Sequence, residues 1–340
     1  MTGPGERAVG GPGPLPSLSL VIPAFNESAR LAAGLGRLHH AVHSGALDAR
    51  SCEFVLVDDG STDDTSARAT DLLADLPHVQ VVRLPVNHGK GAAVRAGVAA
   101  AGAPLIAFGD ADMAIDPAQV PLFVDALERN DLAIGSRAAA GAAVDKASIR
   151  RSASNRAFNL WVNAVTRLSL ADTQCGFKAF RAPAAKLLFH CTVTERFAFD
   201  VELLVLARRL GLTIAEVPVR WSRVEGSRIT LRRDAIPMAR DVLRAARLAS
   251  AAPPVPALRL KVPAGGDGPR MENYAARLPV LAEPDGTELV LCPLMDDDAV
   301  SSLATALHTD HPDAMVEATT VTAASLCDRA PLRLPWSATG

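Results

Sequence analysis

Aromatic residues are scarce in this chain of 340 residues, which contains 10 Phe, 3 Trp and 1 Tyr. Positive charge is not in excess either, because the formal net charge is −2. Nucleic-acid binding depends on basic surfaces and often on aromatic stacking, so this composition argues against a nucleic-acid partner. No run of about 18 apolar residues is present, and we therefore predict no membrane-spanning helix.

The N-terminus also lacks the apolar core of a signal peptide, and we predict that residues 1–16 form a flexible leading segment. The five cysteines are scattered, odd in number and without a C-x-x-C pair. This pattern argues against a disulfide framework or a zinc knuckle and indicates a reducing compartment, for which we expect the cytoplasm. Arg exceeds Lys and Ala is abundant, which is typical of a GC-rich, bacterial coding bias.

What the chain does contain is a regular alternation of apolar strands and helices. Continuous apolar strands separated by helices predict an α/β fold, with a mostly parallel sheet covered by helices on both faces. Right-handed crossovers would bring the carboxyl ends of the strands to one edge, where ligands bind in such sheets. We predict strands at 19–22, 54–57, 79–84, 104–108 and 131–134.

The pattern changes after residue 137, but it continues to about residue 250. We expect a mobile loop, a long helix, a short strand or hairpin, a second helix and a further strand, at 138–147, 148–168, 175–181, 199–210 and 213–221. The predicted domain therefore spans 17–250. A Pro/Gly-rich linker at 251–270 separates it from a small accessory region, 271–340, to which we assign no chemistry.

Two carboxylates, Asp110 and Asp112, follow the apolar run at 104–108 in the stretch "FGDADM". Like charges at the end of a buried strand need a positive partner. Each of the other strands also ends in polar residues, among them Glu27, Asp58 and Arg137. Such an edge suits a phosphorylated ligand bound through a divalent cation, because Mg²⁺ takes one or two carboxylates together with phosphate oxygens.

Each of these signals is weak when taken alone. A single D-x-D is more often a loop pair or a helix cap, and the cluster after Asp58 could be a turn. Glu27 and Lys90 could simply be solvated. It is the order and spacing of all four stretches together that favour a binding site.

The stretches "VIPAFNE", "VDDGSTDDT", "NHGKGAAVRAG", "DAD", "GSR" and "DTQCGFKAFR" occur in an order that resembles the inverting GT-A glycosyltransferases of family 2. The resemblance covers about 17–248. "DTQCGFK", followed by "ERFAFDVELL" and "VPVRW", is more similar to the dolichyl-phosphate glucosyltransferases than to the mannosyltransferases. The resemblance implies a metal-dependent hexosyltransferase that uses Mg²⁺ or Mn²⁺, a nucleotide-diphosphate sugar and a polyprenyl phosphate.

The resemblance also implies roles for individual residues. On the donor side, the residues expected to contact the nucleotide sugar are Pro23, Phe25, Glu27, Asp58, Asp59, Lys90, Asp110 and Ala111. Asp110 and Asp112 would bind the metal, and Asp112 would be the more direct ligand. On the acceptor side, the residues expected to contact the acceptor or the transferred sugar are Arg137, Asp172 and Gln174. Arg151 is a further candidate for binding the acceptor, not from the resemblance but from the basic cluster at 150–156, which could equally be a solvated helix face.

The acceptor decides whether a general base is needed. A phosphate monoester is already anionic near neutral pH, so positioning and stabilisation of the leaving group would suffice. A hydroxyl acceptor would need a base, for which Asp172 and Asp200 are the candidates. Asp200 has an alternative interpretation, as a carboxylate at the start of a helix.

Three functions remain open at this point: transfer to a polyprenyl phosphate, transfer to a soluble acceptor in secondary metabolism, and a non-catalytic nucleotide-sugar-binding module. A uridine nucleotide is favoured, with GDP-mannose as the alternative donor. Basic residues near 150–156 and 220–233, and an amphipathic segment at 235–248, could contact the inner face of a membrane or pack on their own domain. The sequence makes no prediction about oligomeric state.

Overall fold

The computed structural model describes residues 16–144, 149–222, 231–247, 254–261, 280–282, 287–292, 295, 297–310, 314–322 and 325–326. The leading segment predicted at 1–16 lies outside these ranges except for residue 16. So do 145–148 of the predicted loop, most of the predicted linker and much of the accessory region.

The first half of the chain confirms the predicted alternation. Its strands are β1 (Leu18–Ala24), β2 (Cys52–Asp58), β3 (Val79–Arg83), β4 (Leu105–Phe108) and β5 (Leu132–Ser136). Its helices are α1 (Leu31–His43), α2 (Thr65–Leu73), α3 (Lys90–Ala100) and α4 (Val120–Ala126), with short 3₁₀ turns before β2 and α4. Each strand is an apolar run bounded by turn residues, which explains why these elements were predictable.

The second half is less regular. Its elements are β6 (Ala143–Val144), α5 (Ile149–Thr166), β7 (Lys178–Arg181), α6 (Ala182–Cys191), α7 (Phe199–Arg209), β8 (Ile214–Pro218), β9 (Arg220–Trp221) and α8 (Leu231–Ala245). The segment predicted as a short strand or hairpin contributes a single strand, β7. Helix α6 follows it directly and has no counterpart among the predictions.

The main sheet has seven strands in the order β3-β2-β1-β4-β7-β5-β8. All neighbouring pairs are parallel except those that include β7, which is antiparallel to both β4 and β5. In β1, Leu20 lies between Phe54 of β2 and Ala107 of β4. The chain order reverses between β1 and β4, which is where ligands bind in sheets of this kind.

Both faces of the sheet are buried, as the apolar strands predict. Alternate residues of β1 enter different cores: Val21 packs in the core that α3, α6 and α7 cover, whereas Leu20 and Ile22 pack in the core that α1 and α2 cover. Phe108 of β4 contacts the rings of Phe180, Phe189 and Phe199, whose centroids lie 5.7–6.2 Å from its own. This aromatic group packs around the end of β4, directly before the D-x-D stretch.

A second, antiparallel sheet lies near the C-terminus. It consists of β10 (Val255–Lys261), β11 (Val280–Ala282), β12 (Glu288–Leu291) and β13 (Met315–Val321), in the order β11-β12-β10-β13, with helix α9 (Asp297–Asp310). Val255 and Ala257 pack in the core that contains α6, and Leu258 and Leu260 pack beneath α9.

The predicted linker at 251–270 is therefore wrong for Val255–Lys261. The prolines of this stretch indicated a linker, but the alternating apolar residues that follow them form a buried strand. Among the described residues, none of the helices has both the length and the apolar character that crossing a bilayer would require.

Candidate active site

The segment that follows β1 is tied to the segment that follows β2 by side-chain hydrogen bonds. The backbone N–H of Asn26 donates to Oγ of Ser61 at 2.8 Å, and Oδ1 of Asn26 accepts from the N–H of Thr62 at 2.8 Å. The N–H of Glu27 donates to Oγ1 of Thr65, also at 2.8 Å. Asn26 adopts the left-handed conformation with φ of 49°. Three residues predicted to contact the nucleotide sugar thus lie in or beside a fixed loop at the sheet edge, namely Pro23, Phe25 and Glu27.

Asp58 is fully buried at the end of β2. Its Oδ1 accepts a hydrogen bond from the N–H of Ser61 at 2.9 Å. Its Oδ2 has no hydrogen-bond donor among the described residues, although Nε of Arg83 lies 3.6 Å away. A buried carboxylate oxygen without a donor can accept an N–H or O–H from a bound ligand.

Asp59 has a different environment from its neighbour. Its Oδ2 accepts hydrogen bonds from Nδ2 of Asn87 and from the N–H of Gly89, both at 2.8 Å, and its Oδ1 accepts from the N–H of His88 at 2.9 Å. Burial raises the pKa of Asp59 in spite of these bonds. The carboxylate of Asp59 therefore holds the loop that precedes Lys90, and its direct contact with the nucleotide stays a prediction.

Lys90 begins α3 and supplies the positive partner of the aspartate pair. Its Nζ lies 2.6 Å from Oδ1 of Asp110, and 5.9 and 5.8 Å from the ring centroids of Phe108 and Phe199. Burial would lower the pKa of Lys90, but the charges of Asp110 and Asp200 outweigh it and raise the pKa to about 12. Lys90 is therefore cationic, and it holds one oxygen of Asp110.

Asp112 lies on the same edge, and its Oδ1 accepts a hydrogen bond from the N–H of Ala114 at 3.1 Å. Burial raises the pKa of Asp112, and the carboxylates of Asp110 and Glu27 raise it further. Glu27 is itself paired with Arg30 at 2.6 Å. Crowded carboxylates of this kind are stabilised by a divalent cation, so Asp110 and Asp112 fit the chemistry of a Mg²⁺ or Mn²⁺ site.

The protein supplies few ligands for such a cation. Among the described residues, no group of three or more His, Cys, Asp or Glu side chains has an arrangement that could hold a metal. A site with two carboxylates leaves the remaining positions to water and to phosphate oxygens of a ligand, as is usual for Mg²⁺.

The position of the D-x-D stretch is set by close packing against α1. A Cβ atom at Gly34 would lie 1.9 Å from the carbonyl oxygen of Ala111, so only glycine allows the helix to approach this closely. This close packing fixes the backbone at the buried Ala111, which separates Asp110 from Asp112.

On the acceptor side, Arg137 and Asp172 form a bidentate ion pair. Nε and Nη2 of Arg137 donate to Oδ2 and Oδ1 of Asp172 at 2.7 and 3.0 Å, and the backbone N–H of Arg137 also donates to Oδ2. The N–H of Gln174 donates to Oδ1 at 3.2 Å. Burial acts to raise the pKa of Asp172, but the bonds from Arg137 outweigh it and hold that pKa below its ordinary value. Asp172 is therefore an ionised, oriented group and a weak base.

Asp200 is paired with a lysine that the sequence-based site prediction missed. Nζ of Lys178 lies 2.6 Å from Oδ1 of Asp200 and donates to the carbonyl oxygen of Cys175 at 2.8 Å. The Lys178 side chain is completely buried. The one signal that could have identified it is a lysine inside the apolar run "GFKAF". Because its charge is neutralised, Asp200 is poorly suited to act as a general base.

Some of the predicted acceptor-side residues lie outside what the structure describes. Arg151 lies in α5, but its side chain is outside the described residues, as are residues 223–230 of the second basic cluster. Cys175 is fully buried, and burial raises the pKa of its thiol to about 11, so its environment is that of a packing residue and not of a thiolate nucleophile.

Comparison with known proteins gives a consistent picture. The model of the family described as "Glycosyl transferase family 2" matches residues 19–189. A dolichyl-phosphate beta-glucosyltransferase of Dictyostelium discoideum is 34% identical over 238 residues, which cover 67% of this chain and 73% of the relative. The corresponding protein of Drosophila melanogaster is 38% identical over 239 residues, covering 66% and 73%.

Solved structures of glucosyl-3-phosphoglycerate synthase from Mycobacterium tuberculosis are also similar. The complex with Mn²⁺, uridine-diphosphate-glucose and phosphoglyceric acid has a TM-score of 0.50 and 26% identity, covering 68% of this chain and 78% of that one. The complex with phosphoglyceric acid has a TM-score of 0.51 and 25% identity, covering 68% and 79%. These similarities confirm the predicted GT-A fold. Because the sequence relatives are eukaryotic, bacterial origin stays a prediction.

Proposed function

This chain is a member of glycosyl transferase family 2, and from that premise we propose that it transfers glucose from UDP-glucose to a polyprenyl phosphate, with inversion at the anomeric carbon. The names of the relatives support the acceptor and the sugar. The solved complex with UDP-glucose and Mn²⁺ supports the donor and a divalent cation.

On the donor side, we assign the base to the sheet edge beside Asp58, whose buried Oδ2 would accept an N–H of the base. The fixed loop with Pro23, Phe25 and Glu27 would flank the base and ribose. Lys90 would lie near the phosphates, since it is cationic and close to Asp110. Asp110 and Asp112 would hold the Mg²⁺ or Mn²⁺. When bound, this cation would stabilise the charge on the departing diphosphate.

The observation that carries the choice of acceptor is that both candidate bases are paired with cations. Asp172 is bound in a bidentate manner by Arg137, and Asp200 is bound by Lys178. A hydroxyl acceptor would need one of them as a free base, whereas a phosphate monoester attacks as an anion. Arg137 would attract the acceptor phosphate, and Asp172 and Gln174 would line the position of the sugar.

A soluble phosphate-bearing acceptor is the second candidate. The solved complex with phosphoglyceric acid shows that this fold accommodates one. We favour the lipid, because the sequence relatives are named for dolichyl phosphate at 34–38% identity. We further propose peripheral contact with the cytoplasmic face of a membrane through α5 and α8, which expose Leu160, Leu243, Arg156 and Arg244.

The test is a transfer assay with UDP-[¹⁴C]glucose, Mn²⁺ and either a short polyprenyl phosphate or phosphoglyceric acid as the acceptor, followed by extraction into organic solvent. We expect label in the organic phase with UDP-glucose and not with GDP-mannose. Asp112→Asn should abolish the signal, while Asp125→Asn, an exposed aspartate on α4, should retain it. Label that appears only on phosphoglyceric acid would overturn the lipid acceptor, and full activity of Asp112→Asn would overturn the site.

A further inference from the structure

A lysine without any exposure to solvent lies beneath the candidate site. Lys178 is the first residue of β7, the antiparallel strand between β4 and β5. A buried ammonium group is costly unless it is paired and hydrogen-bonded. Retaining a lysine where an apolar residue would pack well therefore calls for a reason beyond folding.

The two partners of Lys178 belong to different parts of the site. One is Oδ1 of Asp200, at 2.6 Å, in the first turn of α7. The other is the carbonyl oxygen of Cys175, at 2.8 Å, in the segment between Asp172 and β7. Lys178 thus connects a helix of the rigid core with the segment that carries Asp172.

Besides the hydrogen bonds of Asp172 with Arg137 and Glu216, the segment 172–177 is attached by hydrogen bonds at Thr173, Cys175 and Phe177, and Lys178 supplies the middle one of these. At one end, Oδ1 of Asn159 accepts hydrogen bonds from the N–H and Oγ1 of Thr173, at 3.0 and 2.8 Å. At the other end, the carbonyl oxygen of Phe177 accepts from the N–H of Gly135 at 2.9 Å. In the middle, the carbonyl of Cys175 is held by the ammonium group.

This segment is adjacent to both halves of the site. A Cβ atom at Gly176 would lie 2.1 Å from Oδ2 of Asp110, so the segment touches the aspartate pair directly. Asp172, at its other end, holds Arg137. A small displacement of the segment would therefore move the acceptor-side ion pair relative to the donor-side carboxylates.

We propose that Lys178, paired with Asp200, is a positioning residue that fixes the segment 172–177 and thereby aligns Arg137 and Asp172 with the bound donor. This inference rests on the proposed function for the identity of the donor and the acceptor. The hydrogen bonds of the Lys178 ammonium group go to Asp200 and to the carbonyl oxygen of Cys175, and Lys90 keeps Asp110 as its own partner.

The alternative is that the pair serves stability alone, and the two interpretations predict different kinetics. A residue that only stabilises the fold would lower the melting temperature and leave the folded enzyme unchanged. A positioning residue would impair transfer in the folded protein without weakening nucleotide binding. A displacement of about 1 Å in a reacting group can reduce the rate about a hundredfold.

The experiment compares wild type with Lys178→Met/Asp200→Leu, which removes both charges together and leaves no buried charge unpaired. Leu73→Ala in α2, a fully buried position outside the segment, is the control for loss of stability. The measurements are hydrogen exchange of the amides at 172–177, UDP affinity by calorimetry with Mn²⁺, and kcat and KM for the acceptor.

For the double variant we expect faster exchange at 172–177, unchanged UDP affinity and a fall in kcat/KM of about a hundredfold. Leu73→Ala should lower the melting temperature without these changes. If the double variant does not fold, Asp200→Asn, which keeps an oxygen for Lys178, takes its place. It should show a smaller increase in exchange at 172–177 and a smaller fall in kcat/KM, with unchanged UDP affinity.

Wild-type exchange and wild-type acceptor kinetics in either folded variant would overturn the inference, and so would a parallel loss of UDP affinity. Failure of the proposed function is distinguishable from this. Wild-type protein that transfers nothing to polyprenyl phosphate would contradict the function, while the exchange measurement would still decide the role of Lys178.

Discussion

Replacing Asp59 by asparagine removes a hydrogen-bond acceptor from the loop that leads to Lys90. The carboxylate accepts three hydrogen bonds, from the side chain of Asn87 and from the backbone N–H groups of His88 and Gly89. An asparagine has one accepting oxygen. If that oxygen takes the place of Oδ2, the bonds from Asn87 and Gly89 persist, and the N–H of His88 faces an amide N–H₂.

The size of the effect follows from this count. One hydrogen bond to a charged group contributes roughly 1.5–3 kcal/mol to stability. Burial raises the pKa of Asp59, so removing the charge recovers part of that loss. We expect Asp59→Asn to lower the free energy of unfolding by about 1–2 kcal/mol, and Asp59→Ala, which leaves three donors without an acceptor, by about 3 kcal/mol.

Urea denaturation would measure the stability, and a double-mutant cycle with Lys90→Met would test how Asp59 acts. If Asp59 works by holding the loop, its substitution should reduce kcat/KM for the donor about tenfold in wild type and much less once Lys90 is gone. Additive effects of the two substitutions, or a loss of nucleotide affinity at unchanged stability, would refute this reasoning. Either result would favour the direct contact between Asp59 and the nucleotide that the sequence predicts.

Three further predictions concern the surrounding residues. Arg137→Lys loses the bidentate geometry of its ion pair with Asp172 and should lower kcat/KM by about ten- to a hundredfold without unfolding the protein. Steady-state kinetics and circular dichroism would measure these effects, and wild-type kinetics would contradict the proposed role of Arg137 in binding the acceptor. Gly91→Ala places a Cβ atom 2.6 Å from the carbonyl oxygen of Thr194 and should destabilise the protein by roughly 1–3 kcal/mol. The matched variant Gly36→Ala, whose Cβ atom meets nothing within 4 Å, should instead stabilise α1 by about 0.5–1 kcal/mol. Equal melting temperatures of the two variants would contradict this prediction. Burial opposes the ionisation of Asp63, but hydrogen bonds from neighbouring hydroxyls and amides lower its pKa to about 2. Wild type should therefore be more stable than Asp63→Asn above about pH 4, and this advantage should disappear towards pH 2. A difference in melting temperature that does not change with pH would contradict this prediction.

The alternation of strands and helices was predictable because the polar residues that end each strand also mark the edge where the strands meet. Asp58, Lys90 and Asp110 are at least 20 residues apart in sequence, yet the parallel pairing of β1 with β2 and with β4 brings the ends of these strands to one edge. Nζ of Lys90, at the start of α3, lies 2.6 Å from Oδ1 of Asp110 at that edge.

Helix α6 escaped prediction for a physical reason. Eight of its ten residues are buried, so it lacks the polar face that gives a helix its 3.6-residue pattern. Strand β10 escaped because its neighbouring prolines suggested a linker, whereas its alternate residues fill two different cores. Tertiary burial, which local sequence does not reveal, decided both elements.

The roles of individual carboxylates were likewise not predictable. Asp58 and Asp59 are adjacent and chemically identical, but Asp58 keeps a buried oxygen that has no donor in the described part of the chain, whereas Asp59 holds a loop. The pairing of Asp200 with Lys178 depends on β7 running antiparallel beside β4, which the sequence did not indicate.

The central claim is that Asp110 and Asp112 bind a divalent cation that in turn binds the diphosphate of the donor. Calorimetric titration of UDP into wild type and Asp112→Asn, each with Mn²⁺ and with EDTA, tests it most directly. We predict that wild type binds UDP at least about tenfold more tightly with Mn²⁺ and that Asp112→Asn loses this dependence. An identical gain in affinity from Mn²⁺ in both proteins would contradict the account.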